Sequence, residues 1–205
     1  MAAKNTIKDH DLTREKLLAS AFTEIHRQGY QGASIANIIE STGLTKGALY
    51  HHFPTKHALG LAIIDEIIAP QLDCLVFEKL RSSNTPVETL LEIISGVEGV
   101  MGNEGILLGC PLNNLMQEMS PLDEQFRHRL NLVLETWQNS ICSALEHGKS
   151  HLVIRPDIDC FSAALFIVSA WEGCISIAKN KQSPSAFSLC MKQLHSYVRS
   201  LMTPV

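Results

Sequence analysis

One stretch constrains the fold more than any other: Ser34–Lys56, SIANIIESTGLTKGALYHHFPTK. Ser34 is suited to cap a helix whose buried face carries Ile35, Ile38 and Ile39. Gly43, after Thr42, supplies the left-handed stop of that helix. Thr45 is suited to cap a second short helix, with Ala48, Leu49 and Phe53 inward and Lys46, Tyr50, His51 and His52 outward. Pro54 ends it, and Thr55 caps the next. Two short helices across a glycine-containing turn, the second rich in exposed donors, form the plan of a DNA-reading helix-turn-helix.

The residue types suit that chemistry. A recognition helix needs a close-approach residue, donors for phosphates and groups that reach base edges. Gly47 lets the backbone lie against a duplex, and the helix start at Thr45–Gly47 offers amides to a phosphate. Thr45 and Lys46 point to bases or nearby phosphates, and Tyr50 and His51 face the groove. His52, Lys56 and Ser34 are expected on the DNA backbone. His51, His52 and His57 make a poor metal set, because metal pairs on one helix prefer i,i+4 spacing and adjacent histidines diverge. No metal and no cofactor is called for.

LTKGALYHHFPTK resembles the recognition-helix signature of the TetR family of transcriptional regulators. FTEIHRQGYQGASIANII upstream is similar to the family's first helix, its glycine–aromatic exit and its second helix. The motif resemblance covers Leu12 to Leu61; beyond it, only length and helix layout match. The resemblance implies a homodimer that binds a pseudo-palindromic, double-stranded DNA operator. Release by a small-molecule effector, and a cytoplasmic location, go with it. Repressor and activator stay open.

Charge fits a DNA-binding head on an acidic body. The 205 residues carry a net charge of −4, yet residues 1–60 carry +2 and the rest −6. The six cysteines contain no CxxC pair and no zinc spacing, and read as reduced thiols packed as small hydrophobes. No apolar run approaches the ~18 residues that suggest a membrane span. An enzyme finds no support: there is no Ser/His/Asp grouping, paired carboxylates or phosphate loop. His147 and His151 are separated by Gly148, read as a helix end.

The fold class read from the whole chain is all-α. It comprises three N-terminal helices with the helix-turn-helix (1–55) and six C-terminal helices for effector binding and dimerisation (56–205). Residues 1–10 read as a mobile arm, Thr13 as the first cap and Gly29 as the close of the first helix. A long helix from Lys56 has Pro70 in its interior, which predicts a kink near Glu66–Pro70 and a hinge or static bend there. Thr85-Pro86-Val87-Glu88, Pro111, Ser120-Pro121, Asp157 and Ser183-Pro184 mark later helix starts. GNEGILLG (102–109) reads as a connection.

Helix 161–178 is apolar or small around most of its circumference, with Ala170, Gly173 and Ser176 allowing close approach. It reads as the dimer contact or as a monomer's central helix. Candidate effector-pocket residues are Ile106, Cys110, Asn113, Leu115, Met119, Trp137, Phe166 and Trp171, implying a mainly apolar effector. Glu172 reads as a surface residue. Cys110, directly before Pro111, occupies a helix N-cap where the dipole lowers a thiol's pKa. That makes a thiol-based redox or electrophile switch the alternative reading, with Lys179 as a positive neighbour.

Overall fold

The computed structural model describes residues 2–204, and their side chains from residue 12 onward. Among the described residues the chain forms nine helices and a single antiparallel bridge, Ile154 with Met202. The helices are α1 Ala2–Gly32, α2 Ile35–Thr42, α3 Lys46–His52, α4 at 56–82, α5 Pro86–Leu108, α6 Pro111–Met119, α7 Glu124–Ser150, α8 Cys160–Lys181 and α9 Pro184–Ser200. They divide into two compact units, one of residues 1–70 and 114–130 and one of 71–113 and 131–205. The start of α4 and the segment 114–130 thus pack with the N-terminal helices in the first unit.

In the first unit, α1 lays Leu17, Leu18, Ala21 and Ile25 inward, and Ile38, Leu49 and Phe53 close the same core. α1 begins at Ala2, so residues 2–10 are helical backbone and Thr13 lies inside the helix instead of capping it; Met1 lies outside the described residues. The expected break at Gly29 is present, with φ 77° and ψ 165°. Three expected caps form. Ser34 Oγ accepts from Asn37 N–H at 3.4 Å, Thr45 Oγ1 from Ala48 at 3.1 Å and Thr55 Oγ1 from Ala58 at 3.0 Å.

Proline 70 is absorbed within a continuous α4. The helix widens to π turns at Ile64–Ile68 and Asp73–Phe77, and Ala69 N–H reaches back to Ile64 C=O. A π turn relieves the clash and the missing donor that proline brings to an α-helical ladder. Arg14 pairs with Glu66 within the first π turn, at 2.6 Å between Nη2 and Oε1, and covers the Phe53 ring at 4.9 Å. The guanidinium holds the Glu66 carboxyl below its ordinary range.

The second unit packs α8 against α9 and α5. Its core includes Leu90, Ile94, Trp137, Ile141, Ile167 and Phe187. Cys174 of α8 and Cys190 of α9 form a disulfide, which corrects the expectation of six reduced thiols. Several helix boundaries also shift. α5 continues through a break at Gly102 to Leu108, and α7 passes Gly148 to Ser150. Thr85 makes no side-chain cap, Asp123 replaces Ser120 at the start of α7, and Asp159 replaces Asp157 at the start of α8. α8 is long and apolar enough by composition to span a membrane, and half of its apolar window is buried in this fold.

Candidate functional site

The head presents one helix outward. Leu49 and Phe53 are 0% and 2% exposed, so the inner face of α3 is locked in the core. That orientation turns Thr45, Lys46, Gly47, Tyr50 and His51 to solvent, with Ser34 and His52 half-buried at the rim. The Thr45 hydroxyl accepts the Ala48 amide and keeps its own proton for another acceptor. Lys46 Nζ lies 5.9 Å from the Tyr50 ring centre, one turn along the same face. The donors expected from sequence on this helix therefore form one contiguous surface.

Lys56 is engaged within the head itself. Its Nζ donates to the carbonyls of Gln31 at 3.2 Å and Ala33 at 2.7 Å, and sits 5.1 Å from the Tyr30 ring centre. An ammonium among the last carbonyls of a helix is a C-terminal cap, so this lysine holds the end of α1. Glu24 was missed by sequence reasoning. Its Oε1 accepts Ser34 N–H at 3.1 Å and Asn37 Nδ2 at 2.8 Å, tying α2 to α1. No local spacing rule pairs a residue in mid-α1 with a cap ten positions on.

The body residues separate. Cys110, Asn113, Trp137 and Trp171 lie in the second unit, where the two indoles meet edge to face at 5.4 Å. Ile106 is fully buried there. Leu115 and Met119 are buried in the first unit instead. Phe166 is 51% exposed and packs on Tyr197 at 4.6 Å, so it lines no interior site.

Glu172 is a correction: it is 8% exposed, not a surface residue. Neither carboxylate oxygen has a hydrogen-bond partner at ordinary geometry among the described residues. Burial pushes its pKa from an ordinary 4.5 to about 7, and the Cys110 thiol is the one polar group acting on it. The thiol is shifted too, in the direction opposite to that expected. Burial and the Glu172 charge raise Cys110 well above its ordinary value, against the pull of the Asn113 and Leu112 amides at the start of α6. Asn113 Nδ2 donates to Ser176 Oγ at 2.7 Å, fixing α6 to the α8 turn that follows Glu172.

Residues 17–63 match the model for bacterial regulatory proteins of the tetR family, and residues 86–194 match that for the tetracyclin repressor-like C-terminal domain. The chain belongs to the TetR family. It is 30% identical over 197 residues to the transcriptional regulator AcuR of Cereibacter sphaeroides, covering 94% of this chain and 84% of that one. It is 24% identical over 180 residues to the transcriptional repressor NemR of Escherichia coli K12, covering 87% and 89%. The solved structure of a TetR regulatory protein from Rhodobacter sphaeroides matches with a TM-score of 0.81 at 26% identity, over 91% and 98%. This TetR-family chain is thus an all-α, DNA-binding transcription regulator and not an enzyme.

Proposed function

We propose that this TetR-family regulator is a dimeric, cytoplasmic repressor that binds a pseudo-palindromic operator and leaves it when a small effector occupies the body. The outward face of α3 carries the reading. Thr45, Lys46, Gly47, Tyr50 and His51 enter the major groove, while Ser34 and His52 meet phosphates at its rim. Lys56 acts by holding α1, not by touching DNA. Two heads are needed for tight binding, and the open face of α8 supports the pairing. Phe161, Leu165 and Ile177 are 58%, 48% and 54% exposed there, and nothing lies within 4 Å of where a Gly173 side chain would begin. The effector is mainly apolar with one polar handle, supported by Trp137, Trp171 and Glu172 in the second unit. The switch runs through α4, a reading supported by the π turns that flank Pro70.

Selection of bound duplexes from a random pool tests this reading. The expected product is a site with two half-sites about one helical turn apart, bound by one dimer with an affinity that falls steeply with salt. Recovery of no preferred duplex at any salt concentration would sink it.

A second reading is favoured by the contact between Cys110 and Glu172. A carboxylate beside a thiol can take its proton as sulfur adds to the β-carbon of an activated alkene; the S–C bond forms as the C=C π bond breaks, and the proton passes to the α-carbon. The raised thiol pKa means that reactivity would depend on Glu172, not on a standing thiolate. Mapping alkylated thiols decides between the two. The second reading stands only if Cys110 outpaces exposed Cys74 and its alkylation releases the selected duplex.

A further inference from the structure

From the break in α1 at Gly29 to the cap of α2 at Ser34, the backbone is held largely by side chains from elsewhere in the first unit. Gly29 breaks α1 at φ 77°, and this leaves the next two amides without helical acceptors. Both are taken by one carboxylate from far along the chain. Tyr30 N–H donates to Glu118 Oε2 and Gln31 N–H to Glu118 Oε1, each at 2.8 Å. Ala33 N–H returns to Gly29 C=O at 3.0 Å. Lys56 takes the Gln31 and Ala33 carbonyls, and Glu24 takes the Ser34 amide. Successive amides aimed at one anion form a nest, and hydrogen bonds to a charged acceptor are about twice as strong as neutral ones.

The nest and its occupant are shaped for each other. A side chain at position 29 would begin 3.0 Å from Glu118 Oε2 and 3.2 Å from Oε1, so glycine serves both the left-handed backbone and the seat of the carboxylate. The same segment is anchored twice more in this unit. Asp123 Oδ2 pairs with His57 Nε2 at 3.0 Å, and the Phe126 ring meets the Tyr30 ring at 4.8 Å. Of the three side chains that hold the junction, Glu24 belongs to α1 and Lys56 to the start of α4. Glu118 belongs to α6. With Phe126 on the Tyr30 ring, it is how residues after α5 reach the helix-turn-helix.

We propose that Glu118 is a positioning residue for DNA recognition: seated behind Gly29, it fixes the α1–α2 junction and with it the direction of α3. Its role rests on α2 and α3 being the DNA-reading pair. Without the carboxylate, two amides lose their acceptor, the turn gains conformers, and α3 meets the groove in the right pose less often. Non-specific binding, which needs only surface cations, does not depend on that pose.

The test compares the full-length protein with Glu118→Ala and Glu118→Gln, using the selected duplex and a scrambled one of equal length. Glu118→Ala is expected to weaken the selected duplex by about tenfold or more at a temperature where circular dichroism shows it folded. The scrambled duplex should change by less than about twofold. Glu118→Gln, with one carbonyl oxygen for two donors, should fall between. Hydrogen exchange without DNA should speed up by about tenfold or more at Tyr30, Gln31 and across residues 34–53, with the second unit unchanged. If Glu118→Ala does not fold, the Gln variant carries the same measurements. Unchanged exchange at 34–53, or parallel loss of selected and scrambled binding, would overturn the proposal. A wild-type protein that selects no duplex would instead defeat the operator reading, and exchange would still decide the role of Glu118.

Discussion

At the scale of single residues, Glu172 has the most measurable consequence. Its folded pKa of about 7 lies above its ordinary 4.5, so the folded protein holds that proton more tightly than the unfolded chain. Its contribution is therefore neutral below about pH 4.5, becomes destabilising as pH rises towards 7, and is fully unfavourable above that. The cost at pH 8 is roughly 3 kcal/mol. Glu172→Gln is expected to raise the melting temperature at pH 8 and to match wild type at pH 5; a gain of equal size at both pH values would contradict this account. Gly60 offers a packing test. A side chain there would begin 2.6 Å from Tyr30 Cε2 and from Phe126 Cζ, so Gly60→Ala should cost about 1–3 kcal/mol in a denaturant titration. Neither residue was legible from sequence. Burial of a lone Glu in an apolar helix, and the approach of two rings to a glycine, depend on neighbours thirty or more positions away. The inward contacts of Lys56 were illegible for the same reason: its charge was visible, but the Gln31 and Ala33 carbonyls that hold it were not.

At the scale of elements, local chemistry spoke clearly wherever a cap was decided locally. Ser34, Thr45, Thr55 and Ser183 each accept from the amide three residues on, as their side chains and the following helical pattern implied. Thr85 makes no cap bond; Ser83 Oγ instead accepts the Thr85 amide and pairs with the Thr89 hydroxyl. Gly148 did not end α7, since Val87 and Ile154 close against its bare backbone in mid-helix. Pro70 was marked as a disturbance, but its accommodation by π turns on either side follows from no local spacing rule. The Cys174–Cys190 bridge was invisible because the spacing of 16 residues matches no motif. It staples α8 to α9, and closing a loop of that size contributes about 2–4 kcal/mol. A thiol reductant should therefore lower the melting temperature of the wild type, while Cys190→Ser should melt early and ignore the reductant. Identical melting of oxidised and reduced wild type would count against the staple.

At the scale of the whole molecule, the open face of α8 joins the structure to the operator reading. Phe161, Leu165, Gly173 and Ile177 are exposed there and carry no charge. Large contiguous apolar surface is rarely left to water in a folded protein. Covering it with a second copy buries the same patch on both subunits, as two-fold symmetry requires. Ile177 is the place to interrogate it, because it is 54% exposed and a change there leaves the monomer core intact. Ile177→Asp would set two like charges facing each other across the dimer axis in a site without water. The variant should sediment as a monomer at micromolar concentration, with the melting temperature of the isolated fold little changed. Its affinity for a two-half-site duplex should drop by roughly 100-fold, because the second head no longer binds at a raised effective concentration. Its affinity for a single half-site should stay at the wild-type value. A dimeric Ile177→Asp, or a monomeric one that still holds the full site tightly, would move the dimer contact off α8.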